Sequence, residues 1–177
     1  MPVEMLLNLR SLYSDLEGHP TPRLKFVDVA TGSLGQGLSC AVGMAYVGKK
    51  YDRANYRVFC LVGDGECAEG AVWEALNFAS FYKLNNLCVV VDVNRFGQTC
   101  KTTVGHDMDV YKKRFESFGA NTLIVNGHNV EELICAFECA ERTNDKPTII
   151  AAKTLKGKYF PTVENVGHLH GKPLREM

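Results

Sequence analysis

Four short apolar runs alternate along this chain with longer segments whose apolar positions recur every three or four residues. The runs are Val58–Val62, Leu87–Val93, Thr122–Val125 and the stretch after Pro147 to Lys153. Rich in β-branched residues and bounded by turn formers, they read as buried strands of a mostly parallel sheet. The intervening segments predict helices from the glycine-rich Thr31–Gly37 lead-in to about Val47, over Glu69–Tyr82, over Met108–Phe118, and after Asn129. Leu34, Leu38, Ala41, Val42 and Ala45 share one face of the first. Asn129-Val-Glu-Glu132 resembles a capping box, and Val130, Leu133, Ile134 and Phe137 form a stripe expected to be buried, with Glu131, Glu138 and Arg142 outside. Upstream, Glu4–Leu16 carries five leucines and predicts a helix or a remnant of one. His19-Pro20-Thr21-Pro22 then forces extended chain. The fold class that follows is α/β, with helices flanking the sheet and no internal repeat.

The helix over Glu69–Tyr82 is apolar on nearly every side, which predicts packing on both faces and a dimer interface. Glu69 and Glu74 lie on it, and acids in such surroundings tend to be paired or to have raised pKa values, unless they sit on a solvated edge.

Length and composition narrow the field. With 177 residues, 46% of them hydrophobic, the chain suits one soluble domain with a proper core. Lysine plus arginine balances aspartate plus glutamate at 20 each, so charge gives no reason to expect a nucleic-acid or membrane partner. No apolar segment reaches membrane-spanning length, and Met1-Pro-Val-Glu-Met lacks the basic start of a signal peptide, which leads to the expectation of a cytoplasmic protein. Seven cysteines, an odd number without metal-site spacing, suit a reducing compartment. Cys135 and Cys139, four apart on a helix, are expected to pack in the core rather than bind metal.

The candidate chemistry sits where strands end. The run Val58–Val62 stops at Gly63-Asp64-Gly65-Glu66, and Leu87–Val93 stops at Asn94, so one crossover helix would bring both to the carboxyl edge of the sheet. Magnesium favours near-octahedral oxygen donors, often one or two carboxylates completed by phosphate, carbonyl and water. Asp64 supplies a carboxylate, Asn94 an amide oxygen and Phe96 a backbone carbonyl, while Gly63 and Gly65 allow backbone to approach a diphosphate. The loop Thr31–Gly37 opens a helix, where backbone N–H groups suit a phosphate, although Gly35 and Gly37 could equally serve close helix packing. Its glycines run G-x-x-G-x-G, which is neither a dinucleotide fingerprint nor a P-loop, so ATP and NAD readings weaken.

These residues resemble the thiamine diphosphate enzymes, and transketolase in particular. Gly18-His-Pro20, Asp28-Val-Ala-Thr-Gly-Ser-Leu-Gly-Gln-Gly-Leu38, Gly63-Asp-Gly-Glu66 with Glu69-Gly70 and Trp73-Glu-Ala75, Asp92-Val-Asn-Arg95, Lys153-Thr-Leu-Lys-Gly157 and His170-Gly-Lys-Pro173 occur in the family's order. The resemblance implies that residues 1–177 are a single, partial diphosphate-binding domain, with the pyrimidine-binding and C-terminal domains absent. It implies transfer of a two-carbon ketol unit from a ketose phosphate to an aldose phosphate in the pentose phosphate pathway. The implied cofactors are thiamine diphosphate and Mg2+, with Ca2+ or Mn2+ able to take the metal's place. The implied partners are sugar phosphates and a homodimer, or a chain that carries the pyrimidine domain.

By the same resemblance, Gly32, Ser33, Leu34, Gly63, Asp64, Gly65, Glu66, Asn94, Lys156 and His170 bind cofactor, and Asp64, Asn94 and Phe96 bind metal. His19 and His170 line the thiazolium and substrate region, and Glu69 and Glu74 belong to a buried acidic cluster across the dimer. His106, His128 and His168 match no family position.

The chain lacks the pyrimidine-side glutamate, the upstream histidines and the sugar-phosphate ligands of the family, which implies that it is inactive alone. Lys156-Gly-Lys-Tyr159 replaces the usual Lys-Gly-Arg-Gly ending, and Tyr159 and Phe160 are expected to add bulk near the site. A catalytically inactive cofactor-binding or dimerising module is the alternative. Other thiamine enzymes, such as 2-oxo acid dehydrogenases, fit the Asp28–Leu38 and His170–Pro173 segments less well.

Overall fold

The computed structural model describes residues 2–167 and 169–172, so His168 and Pro173 lie outside the described residues. Four strands, β1 (Val58–Gly63), β2 (Leu87–Val93), β3 (Asn121–Asn126) and β4 (Thr148–Lys153), form one sheet in the order β1-β2-β4-β3. All pairings are parallel. Four helices accompany them: α1 (Gln36–Val47), α2 (Gly70–Phe81), α3 (Met108–Ser117) and α4 (Val130–Arg142).

The strand order decides where the helices go. From β1 through β2 to β3 the chain moves across the sheet in one direction, then returns to insert β4 beside β2. A right-handed crossover on a reversed path lands on the opposite face. Two hydrophobic cores follow this division. Cys60, Val62, Val89, Val91 and Ile149 pack with Leu38, Val72, Leu76, Tyr111 and Phe115 from α1, α2 and α3. The alternate residues Cys88, Ile150, Ala152 and Val125 pack with Ala136 and Ala140 of α4.

The two faces are unequally covered. On β1, Phe59 is 60% and Leu61 73% exposed, because α4 is the only described helix on their side. This explains why the stripe on α4 is only partly covered. Ala136 and Ala140 are the buried contacts, their small side chains letting the helix lie close to the sheet, and Leu133 packs half-buried against the same core, while Val130, Ile134 and Phe137 remain exposed. Cys135 is exposed on the same helix rather than in the core, and no group of three metal-ligating side chains occurs among the described residues. The expected capping box takes a related form. The Asn129 side chain accepts from the Glu131 and Glu132 amides, but the Glu132 carboxylate accepts from the Asn126 amide and the Asn129 side chain instead of the Asn129 backbone.

The first segment also departs from its pattern. One 3-10 turn, Val3–Asn8, replaces the helix, and of its leucines only Leu16 is buried. Short helices need a packed face, and none is offered here. The Ser11 hydroxyl donates to Asn8 and the Ser14 hydroxyl accepts from the Leu16 amide, so local side chains take up the backbone groups instead. Leu34 is exposed and precedes α1, which begins only after Gly35 turns the chain with φ 82°.

Candidate cofactor and metal site

The register sets the site's level. Gly63 lies beside Asp92, and Val93 beside Lys153, so Asp64, Asn94 and Thr154 leave the sheet together at its carboxyl edge. Asp64 opens a 3-10 turn, Asp64–Ala68, and is only 3% exposed. Its Oδ2 accepts from the Arg95 amide at 2.8 Å and the Thr102 hydroxyl at 3.0 Å. Burial raises the carboxyl pKa, while the bonds from Thr102 and Arg95 pull the other way. No described lysine or arginine pairs with it.

Asn94 is held with equal definition. Its Nδ2 donates to Asp92 Oδ2 at 3.0 Å and its Oδ1 accepts from the Phe96 amide at 3.0 Å. A carboxylate only accepts, so Asp92 fixes which way the amide points. Asp92 Oδ1 in turn accepts from the Thr154 hydroxyl. Next to Asn94, Arg95 adopts a left-handed conformation, φ 68°, and turns the chain back over the acid loop. A carboxylate buried without a cation, beside an amide oxygen and a backbone carbonyl, is a hard-oxygen donor set that fits magnesium.

A cavity of about 380 Å³ gathers six separated segments of the chain. His19, Gly32, Ser33, Leu34, Gly63, Asp64, Gly65, Glu66, Asn94, Phe96, Lys156 and His170 all line it. Glu69 and Glu74 do not; both are exposed, Glu69 at the residue before α2 and Glu74 one turn into it. His19 lies directly on Gly32, where a Cβ would stand 2.8 Å from the imidazole Cγ and where φ is +113°. Only glycine serves there. Lys156 Nζ is 3.1 Å from His170 Nδ1. An ammonium only donates, so Nδ1 accepts and Nε2 carries the proton. Tyr159 and Phe160 line none of this cavity and are exposed, and the Tyr159 ring stands edge-on to His128 at 6.3 Å. A second cleft of about 630 Å³ adjoins the first through Leu61, Asp92, Asn94, Lys156 and His170, and adds His128, whose Nε2 accepts from the Leu155 amide.

Glu66 has a bracing part as well as a lining one. Its Oε1 accepts from the Gly35 amide at 2.9 Å and its Oε2 from the Gly63 amide at 2.7 Å, tying the glycine-rich turn before α1 to the end of β1. The Gly35 amide is therefore taken up by protein rather than left for a phosphate. Glu66→Ala is expected to cost about 1–3 kcal/mol of stability, because two partly buried donors lose their acceptor. Urea unfolding followed by Trp73 fluorescence reads this, and an unchanged midpoint would show that the brace carries no energy.

Three contributors escaped the sequence reading. Asp92 could have been found, since it lies two residues before Asn94 on one strand face. Thr154 directly follows the last strand and could be found in the same way, whereas Thr102 left no such signal, because its role depends on a loop folding back.

The family model described as "Transketolase, thiamine diphosphate binding domain" matches residues 1–177. "Transketolase-like protein 2" of Bos taurus is 61% identical over 96% of this chain and 27% of its own length. Human transketolase is 57% identical with the same coverage of 96% and 27%. Among solved structures, transketolase from Campylobacter jejuni superposes with a TM-score of 0.84 at 37% identity, covering 92% of this chain and 26% of that one. A Pichia stipitis transketolase complexed with sedoheptulose 7-phosphate superposes at 0.79 with 28% identity, covering 88% and 25%. The chain thus spans about a quarter of the relatives it matches. With the family model matching residues 1–177, this chain belongs to the transketolase family, within its thiamine diphosphate binding domain.

Proposed function

We propose that this chain supplies the magnesium–thiamine diphosphate binding part of a transketolase-type enzyme, which moves a two-carbon ketol unit between sugar phosphates in the pentose phosphate pathway. The observation that carries the reading is the meeting of Asp64, Asn94 and Phe96 in one cavity with the turn Gly32–Leu34 and Lys156. Asp64, the Asn94 amide oxygen and the Phe96 carbonyl would hold Mg2+. Lys156 would offset the diphosphate charge. When bound, thiamine diphosphate supplies the electron sink for carbon–carbon bond cleavage and formation. His19 and His170 line the same cavity and would hydrogen-bond substrate hydroxyls or move protons, with His170 presenting Nε2–H as a donor.

The isolated chain binds without turnover in this reading, and activity belongs to an assembly that includes a pyrimidine-binding domain. The outer face of α1 and α2 supports a dimer. Met44, Val47, Phe78 and Phe81 are exposed there, with Glu74 beside them. A cytoplasmic home accords with seven free cysteines. No helix among the described residues is long and apolar enough to cross a membrane. Calorimetric titration of the folded chain with thiamine diphosphate, with Mg2+ and then with EDTA, tests the proposal. Binding that appears with magnesium and vanishes with chelator is expected; heat-free titration of a folded chain would overturn it.

A further inference from the structure

The segment after Asn94 is a small closed hairpin. The Gly97 amide donates to Cys100 at 2.8 Å, the Thr102 amide donates to Arg95 at 2.9 Å, and Phe96 and Lys101 form an antiparallel bridge between them. Its two base residues converge on one atom, since the Arg95 amide and the Thr102 hydroxyl both donate to Asp64 Oδ2. Behind Thr102 stands Tyr111, buried and lining the same small cavity.

We propose that Thr102 is a positioning residue that clamps the hairpin onto Asp64, so that the Asp64, Asn94 and Phe96 oxygens are assembled before any metal arrives. The inference rests on the reading of those three groups as the metal's ligands. Asn94 and Phe96 belong to the hairpin and its lead-in, whereas Asp64 belongs to a loop 38 residues from Thr102 in sequence. The hydroxyl, together with the Arg95 amide, therefore fixes the separation between ligands from two loops. It also commits Oδ2 to the protein and leaves Oδ1 as the carboxylate oxygen the hairpin does not use. Groups that orient a ligand in this way typically change metal affinity about 10–100-fold when removed.

Thr102→Val keeps the shape and loses the donor, while Thr102→Ser keeps the donor and loses the methyl. Two readouts on the full chain separate the clamp from the metal reading. In the metal-free protein, amide exchange at Arg95 and Gly97 is expected to quicken about tenfold in Thr102→Val, as the loss of one hydrogen bond implies, and to return to the parental rate in Thr102→Ser. With thiamine diphosphate present, the Mn2+ dissociation constant from paramagnetic resonance is expected to rise about 10–100-fold in Thr102→Val and to recover in Thr102→Ser. Parental exchange rates in a folded Thr102→Val, or equal deficits in the valine and serine variants, would overturn the clamp. If Thr102→Val does not fold, Thr102→Ala against Thr102→Ser carries the same comparison. A parent chain that binds no Mn2+ would overturn the metal reading, and the exchange rates would still decide the clamp.

Discussion

Asp64→Asn is expected to abolish magnesium-dependent binding of thiamine diphosphate while leaving the chain folded. The substitution keeps size and shape but removes the one formal negative charge in the proposed donor set. Residues that merely orient a metal ligand are worth about 10–100-fold in affinity, so loss of the ligand itself should exceed 100-fold. Stability should move in the opposite sense. The carboxylate is 3% exposed and no cationic side chain among the described residues pairs with it, so its charge is a cost to the metal-free fold. Asparagine removes that cost, and the melting temperature without metal should hold or rise, by about 2–4 °C for each kcal/mol gained. Adding cofactor and Mg2+ at about 100 times the dissociation constant should stabilise the parent by about 2.7 kcal/mol and leave Asp64→Asn unmoved. Equal calorimetric affinity in the two proteins would remove Asp64 from the site.

What made this site legible was the abruptness with which two apolar runs end in Asp64 and Asn94. Parallel strands are buried on both faces, so they read as continuous apolar runs, and the polar residue that follows one stands at the carboxyl edge. The strand order was not legible in the same way. Nothing in the run at Thr148–Lys153 says that it pairs with β2 as well as with β3. That insertion sends α4 to the other face, and with it the stripe of Val130, Ile134 and Phe137 loses the cover that periodicity assumes. The leucines before Leu16 misled for the same reason, since a helical pattern is stable only against a surface that receives it. In the site, residues at strand ends could be read from pattern. Thr102 could not, because its part depends on a hairpin closing over a loop far away in sequence. Glu66 was read as a cofactor contact, and its two backbone partners became visible only once the turn at Gly35 and the end of β1 were side by side.

The unequal faces lead to the largest stability contrast in the molecule, between two phenylalanines that sequence pattern treats alike. Phe115 is 1% exposed, stacked on Trp73 at 5.3 Å and beside Tyr111 at 6.3 Å, in the core shared by α1, α2 and α3. Phe115→Ala empties the middle of that aromatic stack, which neighbours held on α2 and α3 cannot close over. The expected loss is about 3–5 kcal/mol. A domain holds only about 5–15 kcal/mol in all, so this variant should unfold at much lower urea or fail to fold. Phe137 is 38% exposed and touches the still more exposed Phe59 edge-on at 5.8 Å. Its removal creates no enclosed void and gives up only a partly solvated pair, so Phe137→Ala should cost about 1 kcal/mol or less. Urea midpoints of the two variants beside the parent decide the matter. A loss at Phe137 matching that at Phe115 would mean that the α4 face is covered in solution, by a second copy or by another part of a longer chain, and that the uncovered sheet is not the state in which this chain lives.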